Sequence, residues 1–133
     1  MGGELLKVLL DTCTFLWLWL NSPDLSDRAR GIASDPDNEL FLSSVSTWEI
    51  TLKYALGRLP LPQAPDAYIP QLRRRLRIEA LALDEESALF GSRLPLLHRD
   101  PFDRMLVCQA IVGGLVVLTP DRAVTQYTVR AIW

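Results

Sequence analysis

Acidic side chains recur where apolar, strand-like runs end and where the adjoining helical segments begin. The five carboxylates concerned are Asp11, Glu49, Asp100, Asp103 and Asp121. Clustered carboxylates repel one another and do not all ionise comfortably without a cation. Their hard oxygen atoms suit Mg²⁺ or Mn²⁺, and such an ion polarises a phosphodiester and lowers the pKa of its bound water. The pattern therefore predicts a divalent-cation site for hydrolysis without a histidine base.

Four of these acids also have an ordinary structural interpretation. Asp11 and Asp121 can each cap a helix or stabilise a turn after a strand. Asp100 and Asp103 occupy the N-cap and N3 positions of a helix, where the helix dipole favours acids. Taken singly these interpretations are reasonable, but together they do not explain why so many acids collect at one edge of the predicted sheet.

Glu49 has a different alternative. Helical spacing places it on one stripe with Val45, Leu52 and Leu56, at or near the inward face. An i,i+4 pair with Lys53 would instead leave it solvated.

The elements that position these acids alternate along the chain. Residues 5–10, 40–43, 78–83 and 115–119 are predicted as strands, with a short fifth strand in 129–133. Helices are predicted over 12–20, 24–34, 45–56, 68–77, 85–94 and 101–112. The expected caps are Ser26 for the second helix, Ser44 or Ser46 for the third, and Asp100 for the last. Four prolines, at 60, 62, 65 and 70, predict a loop before the basic helix.

This alternation favours an α/β fold: a three-layer domain with a mainly parallel central sheet flanked by helices. We expect residues 1–133 to form one domain, because the chain is too short for two ordinary ones. Ligand sites in such sheets lie beyond the carboxyl ends of the strands, which is where the acids are predicted to collect.

Composition excludes several classes of protein. With 49% hydrophobic and 23% charged residues, intrinsic disorder and low-complexity structure are excluded. The net charge of −2 does not indicate a general nucleic-acid binder. Two cysteines without a CxxC pair and a single histidine, His98, argue against disulfide and zinc frameworks. His98 is interpreted as a loop hydrogen-bonding residue. With no signal peptide or membrane span evident, the expected location is the cytoplasm.

Two surface features remain. Arg73, Arg74, Arg75 and Arg77 form the only dense basic patch, interpreted as an RNA-backbone contact or as a solvated helix face. Trp17, Trp19 and Leu20 cannot all face inward on one short helix, so at least one should be exposed or at an interface; the alternative is a crowded core.

Four segments surround the acids: LLDTCTFLW from residue 9, SVSTWEI from residue 44, HRDPFDRMLVCQA from residue 98 and LTPD from residue 118. These segments resemble the motifs of PIN-domain ribonucleases, and most closely those of VapC-type toxins. They occur in the right order over nearly the whole chain, and the third is the most specific. Cys13 and Cys108 stand where that pattern has small or variable residues.

The resemblance implies roles for individual residues. Asp11, Glu49, Asp103 and Asp121 would be the catalytic, metal-binding carboxylates, and Asp100 would either assist them or only cap its helix. The hydroxyls of two further residues would orient carboxylates or serve as caps, namely Thr12 and Thr119.

The resemblance also implies an activity and partners. The activity is Mg²⁺-dependent endoribonuclease cleavage, with Mn²⁺ able to substitute, leaving a 5′-phosphate and a 3′-hydroxyl. The implied partners are an RNA substrate, a cognate antitoxin whose C-terminal segment lies across the acidic pocket, and a second copy in a homodimer. The alternative is a PIN fold that binds RNA or protein without cutting, which the presence of all four acids disfavours.

Two other enzyme-like classes are disfavoured by single residues. A haloacid-dehalogenase-type phosphotransferase needs a second acid two residues after Asp11, where Cys13 stands. A phosphoacceptor receiver domain would place a Lys at the end of the fourth predicted strand, where the sequence reads Thr119-Pro-Asp121.

Overall fold

In a computed structural model that describes residues 5–133, the chain forms a parallel sheet with helices on both faces. Those residues contain five strands and seven helices. The strands are β1 (Lys7–Leu10), β2 (Glu39–Ser43), β3 (Ile78–Leu81), β4 (Val116–Leu118) and β5 (Ala131–Ile132). The helices are α1 (Thr12–Leu20), α2 (Asp27–Ser34), α3 (Ser44–Ala55), α4 (Pro65–Leu76), α5 (Glu85–Phe90), α6 (Pro101–Gly113) and α7 (Arg122–Thr125).

The strand order is β3-β2-β1-β4-β5, and every neighbouring pair is parallel. The chain runs outward from β1 through β2 to β3 and then returns to β4 on the other side of β1. The direction of winding therefore changes between β1 and β4, which is where ligand crevices form in such sheets. Leu10 pairs with Leu118, so the residues that follow the two strands lie side by side.

Two hydrophobic cores hold the layers together, one on each face of the sheet. Phe15 of α1 and Leu72 of α4 belong to the first core, and Leu106 of α6 belongs to the second. Helix α3 contributes Ile50 to the first core and Val45 to the second. Helix α3 therefore contacts both cores, at the carboxyl end of β2. The predicted three-layer arrangement is confirmed.

Two of the predicted helix caps are also confirmed. Ser26 Oγ accepts a hydrogen bond from the Ala29 N–H at 3.0 Å and begins α2. Asp100 begins α6, with Pro101 at the first helical position. That helix ends at Gly113, and its C-cap is Gly114, whose φ of 65° lies in the left-handed region that favours glycine.

The predicted cap of α3 is wrong by one residue. Ser43, at the end of β2, is the N-cap, and its Oγ accepts the Val45 N–H at 3.0 Å. Ser44 is already the first helical residue, and the hydroxyl of Ser46 is buried. The helix therefore follows β2 with no intervening loop.

Helix α4 begins at Pro65, three residues before the predicted start, and includes Pro70. Proline inside a helix removes one backbone hydrogen bond and costs about 3 kcal/mol. Tyr68, Ile69 and Leu72 are buried against the first core, and this burial offsets that cost.

Two other helices differ from the prediction, because periodicity alone does not show where a short helix begins or ends. Helix α5 ends at Phe90, four residues before the predicted end, and Gly91 is its C-cap. Helix α7 is not predicted from the sequence; it is a single turn that begins after Asp121.

The aromatic residues of α1 pack within the chain. The Trp17 ring lies 5.7 Å from the Trp133 ring, and the Trp19 ring lies 6.0 Å from that of Tyr68. Leu20 is the exposed member of the predicted group, at 67%. Across residues 5–133, none of the helices is both long and apolar enough to span a membrane.

Candidate active site

The five sequence-predicted carboxylates line one cleft of about 280 Å³ at the carboxyl edge of the sheet. They arrive from separate elements: the residue after β1, the middle of α3, the beginning of α6 and the residue before α7. They are Asp11, Glu49, Asp100, Asp103 and Asp121. The structure therefore brings together the acids that the sequence analysis singled out.

Asp11 is the most buried of these carboxylates, with 3% of its surface exposed. Its Oδ1 accepts the Thr12 N–H at 2.7 Å and so caps α1. Its Oδ2 accepts the Thr119 hydroxyl at 2.7 Å. Burial raises the pKa of this carboxyl above its usual value, although the two hydrogen bonds act in the opposite direction. The Thr119 hydroxyl thus contacts Asp11 directly, and its orienting role stays a prediction.

Glu49 is buried on the inward face of α3, with 6% of its surface exposed. Its Oε1 accepts the Thr12 hydroxyl at 2.8 Å, and the same hydroxyl oxygen lies 2.8 Å from Ser46 Oγ. Its Oε2 accepts the Lys53 ammonium at 2.6 Å. The i,i+4 pair with Lys53 therefore forms, but it does not draw Glu49 out into solvent.

Asp103 lies beside two other potential ligands at the beginning of α6. Its Oδ2 is 3.2 Å from His98 Nε2. Potential ligand atoms of His98, Asp100 and Asp103 all lie within 4.8 Å of one another. Burial, followed by the charges of Asp100 and Asp11, raises the pKa of Asp103 to about 7. A carboxylate held in this environment is stabilised by a nearby cation.

Asp100 and Asp121 each combine capping with a place in the cleft. Asp100 Oδ1 accepts the N–H groups of Phe102 and Asp103 at 2.8 and 3.2 Å. Asp121 is exposed, and its Oδ1 accepts the Ala123 N–H at 2.9 Å. Since each of these capping contacts uses only one carboxylate oxygen, capping and ligand binding are compatible.

The arginine cluster lies at the opposite edge of the sheet. Arg73, Arg74 and Arg75 lie at the C-terminal end of α4, and Arg77 directly precedes β3. The cluster is therefore near the amino end of that strand. Arg73 and Arg74 donate to the carbonyl oxygens of Ile78 and Pro70, and the Arg75 guanidinium lies 5.1 Å from the centre of the Trp19 ring. The structure therefore does not bring these arginines to the cleft.

Three side chains at or near the site were missed or underrated in the sequence analysis. Lys53 lines the cleft itself, and the His98 side chain contacts Asp103 in addition to the loop role assigned to that residue. The Arg104 guanidinium contacts the carbonyl oxygens of residues 91, 94, 95 and 98 and the Tyr127 hydroxyl, so it holds the His98 loop against α6. The acid-rich motif was the available signal for His98 and Arg104, and the i,i+4 spacing from Glu49 was the signal for Lys53.

Known structures share this fold. The structure of VapBC2 from Rickettsia felis, bound to a DNA fragment from their promoter, contains a chain that superposes with a TM-score of 0.71. That alignment has 13% identity and covers 96% of this chain and 98% of the other. A chain in VapBC-1 from nontypeable Haemophilus influenzae gives a TM-score of 0.66 at 19% identity, covering 96% and 97%.

Sequence comparison identifies the family. Ribonuclease VapC16 from Mycobacterium tuberculosis is 38% identical over 61 residues, which are 46% of this chain and 43% of that protein. The match thus spans less than half the length of this curated relative. The family model for the PIN domain matches residues 8–129, from β1 to the residues just before β5. With the fold and the family model in agreement, the chain belongs to the PIN domain family.

Proposed function

We propose that this protein is a metal-dependent endoribonuclease of the VapC type. The observation that carries the proposal is the convergence of five carboxylates on one cleft where the winding of the sheet changes direction. The similarity to a ribonuclease over 61 residues and the shared fold of two VapBC structures support it.

The donor set fits a hard divalent cation. The cleft offers carboxylate oxygens, and the raised pKa values of Asp11 and Asp103 indicate that their charges are poorly compensated without a cation. Mg²⁺ would be held by Asp11, Glu49, Asp103 and Asp121, with Asp100 beside them, and Mn²⁺ would substitute. When bound, the ion would supply Lewis-acid polarisation of the phosphodiester and lower the pKa of the attacking water.

The chain's own residues would keep the ligands in place. Thr119 fixes one oxygen of Asp11, and Thr12 fixes one oxygen of Glu49, so neither carboxylate needs to reorganise when a ligand enters. The raised pKa of Asp103 makes occupancy of the site depend on pH, because a proton competes for that carboxylate.

Cleavage of RNA tests the proposal directly. We expect the purified protein to cleave single-stranded RNA in the presence of Mg²⁺ or Mn²⁺, and we expect EDTA to abolish this cleavage. Glu49→Gln and Asp103→Asn should remove the activity while the protein stays folded. Cleavage that persists in EDTA, or equally in both variants, would show that the acidic cleft is not the catalytic site.

We further propose that the protein acts in the cytoplasm as the toxin of a type II toxin–antitoxin pair and forms a homodimer. The VapBC assemblies among its structural neighbours support an antitoxin partner. An antitoxin arginine could pair with the cleft carboxylates in place of a cation. Sedimentation at micromolar concentration tests the homodimer, and a strict monomer under those conditions would contradict it.

A further inference from the structure

Among the described residues that line the acidic cleft, Lys53 is the only lysine or arginine. It lies one helical turn after Glu49 on α3, and its Nζ is 2.6 Å from Glu49 Oε2. About half of its side chain (48%) remains exposed. The ammonium is therefore held at the cleft and still accessible from solvent.

The surroundings of Lys53 explain why a bound polyanion would need it. The acids of the cleft repel a phosphodiester, and a bound cation offsets only part of their charge. The arginine cluster (Arg73, Arg74, Arg75 and Arg77) lies at the opposite edge of the sheet and does not reach the phosphate at the carboxylates. A permanent positive charge inside the cleft is supplied by Lys53.

The chemistry of the ammonium allows two contacts at once. A protonated lysine has three N–H donors and no acceptor. The contact with Glu49 Oε2 uses one of them. Lysine acts as a compact point charge toward phosphate, and its flexible stem permits a small adjustment without loss of the contact with Glu49.

We propose that Lys53 is an RNA-binding residue of the cleft, which holds Glu49 through one N–H and donates another to a phosphate oxygen of bound RNA. This inference rests on the proposed function, since it requires RNA to enter the acidic cleft. It assigns Lys53 a role distinct from the metal ligands and from the arginine cluster.

Equilibrium binding of a single-stranded RNA oligonucleotide, measured by fluorescence anisotropy in EDTA, tests the proposal without cleavage. The variants are Lys53→Met, which removes the charge but keeps an unbranched stem, and Lys53→Arg, which keeps the charge. Lys7→Met is the matched control, because Lys7 is exposed at the amino end of β1. Salt is varied from about 50 to 200 mM.

We expect Lys53→Met to bind about tenfold more weakly, as for loss of a charge-assisted hydrogen bond. The slope of log K against log salt should fall by about 0.7, the value for one single-strand phosphate contact. Lys53→Arg and Lys7→Met should keep the wild-type slope. Thermal melts without RNA, titrated with Mg²⁺, should show that Lys53→Met binds Mg²⁺ at least as well as the wild type, because a competitor for Glu49 is gone.

Two results would overturn the inference while leaving the nuclease in place. One is an unchanged salt slope in Lys53→Met while the wild type cleaves RNA. The other is a parallel loss of Mg²⁺ stabilisation and RNA affinity in Lys53→Met, which would show that Lys53 only positions Glu49. A wild-type protein that does not cleave RNA in Mg²⁺ would instead overturn the proposed function, and this inference with it.

Discussion

At the scale of single residues, the acids of the cleft show that capping and ligand binding are not alternatives. Asp11, Asp100 and Asp121 each use one carboxylate oxygen to accept a backbone N–H at the beginning of a helix. Each carboxylate oxygen has two lone pairs, so a side chain that caps a helix can still accept a ligand. In Asp11 the second oxygen also accepts the Thr119 hydroxyl, and the remaining lone pairs are available. From the sequence alone these roles are competing interpretations, whereas the geometry accommodates both.

Asp11→Asn separates charge from capping. Asparagine caps helices about as well as aspartate, and its amide oxygen can still accept the Thr12 N–H. Removing a buried charge from a repelling cluster should leave the metal-free protein as stable as the wild type or slightly more stable. Stabilisation by Mg²⁺ should fall, and RNA cleavage should fall by about 10²-fold or more.

Thermal melts with and without Mg²⁺, alongside cleavage rates, check this prediction. Asp37→Asn is the control, because Asp37 is exposed in the turn before β2. If Asp11→Asn lowers stability but retains cleavage per folded molecule, Asp11 acts only as a cap and the metal-site proposal fails.

At the scale of elements, the beginning of α6 explains why one short motif has so many polar residues. Asp100 caps the helix, Asp103 faces the cleft and Arg104 holds the preceding loop. Further along the helix, Gln109 Nε2 donates to the Ala82 carbonyl at 3.2 Å and fixes the helix to the end of β3. The motif therefore combines a helix start, a loop anchor and a site residue.

Asp100 can be assigned by comparing two substitutions. Asp100→Asn keeps the cap and should retain stability, with only a mild loss of Mg²⁺ stabilisation and cleavage. Asp100→Ala removes the cap and should cost about 1 kcal/mol, seen as a melting temperature lower by a few degrees. A loss of Mg²⁺ stabilisation in Asp100→Asn as complete as in Asp103→Asn would make Asp100 a full ligand.

The arginines at the end of α4 should affect RNA differently from the cleft. Arg74 and Arg77 are exposed at the sheet edge opposite the carboxylates. They can therefore contact only RNA that extends well beyond the phosphodiester bound in the cleft. Arg74→Glu combined with Arg77→Glu should weaken binding of long RNA and reduce its salt slope. Cleavage of a short oligonucleotide and Mg²⁺ stabilisation should stay unchanged.

Binding isotherms at several salt concentrations measure this effect, with Arg28→Glu as a control for net charge, since Arg28 is exposed on α2. An unaltered slope for long RNA would identify the cluster as a solvated helix face.

At the scale of the whole molecule, local signals predicted most of the fold, and long-range contacts set the rest. Apolar runs and capping residues involve only a few consecutive residues and can be recognised from the sequence. For this reason β1, α1 and α6 were placed correctly. The convergence of the acids on one cleft could be predicted because parallel strands end at the same edge of the sheet. The anchoring by Arg104 could not be predicted, because it depends on how residues 91–98 fold back onto α6. The remote position of the arginines, by contrast, follows from the sequence, because Arg77 directly precedes a predicted strand and so lies at the amino edge of a parallel sheet.

The carboxylate cluster should make the stability of the metal-free protein depend on pH. The pKa of Asp103 is raised to about 7 in the fold, chiefly by burial, whereas the ordinary value is 3.8. A raised pKa means that the fold favours the protonated form. The stabilising contribution of this group is therefore fully present below pH about 4 and is lost as the pH rises through about 7.

Melting temperatures in EDTA between pH about 5.5 and 8 test this dependence on wild type and Asp103→Asn. The neutral amide does not titrate, so Asp103→Asn should gain stability relative to the wild type as the pH rises, by a few degrees at the upper end. Mg²⁺ should stabilise the wild type more at pH 8 than at pH 5.5, because protons compete with the cation for the carboxylate. Parallel melting curves for the two proteins across this range would show that Asp103 ionises at its ordinary pKa and that the cluster is not electrostatically strained.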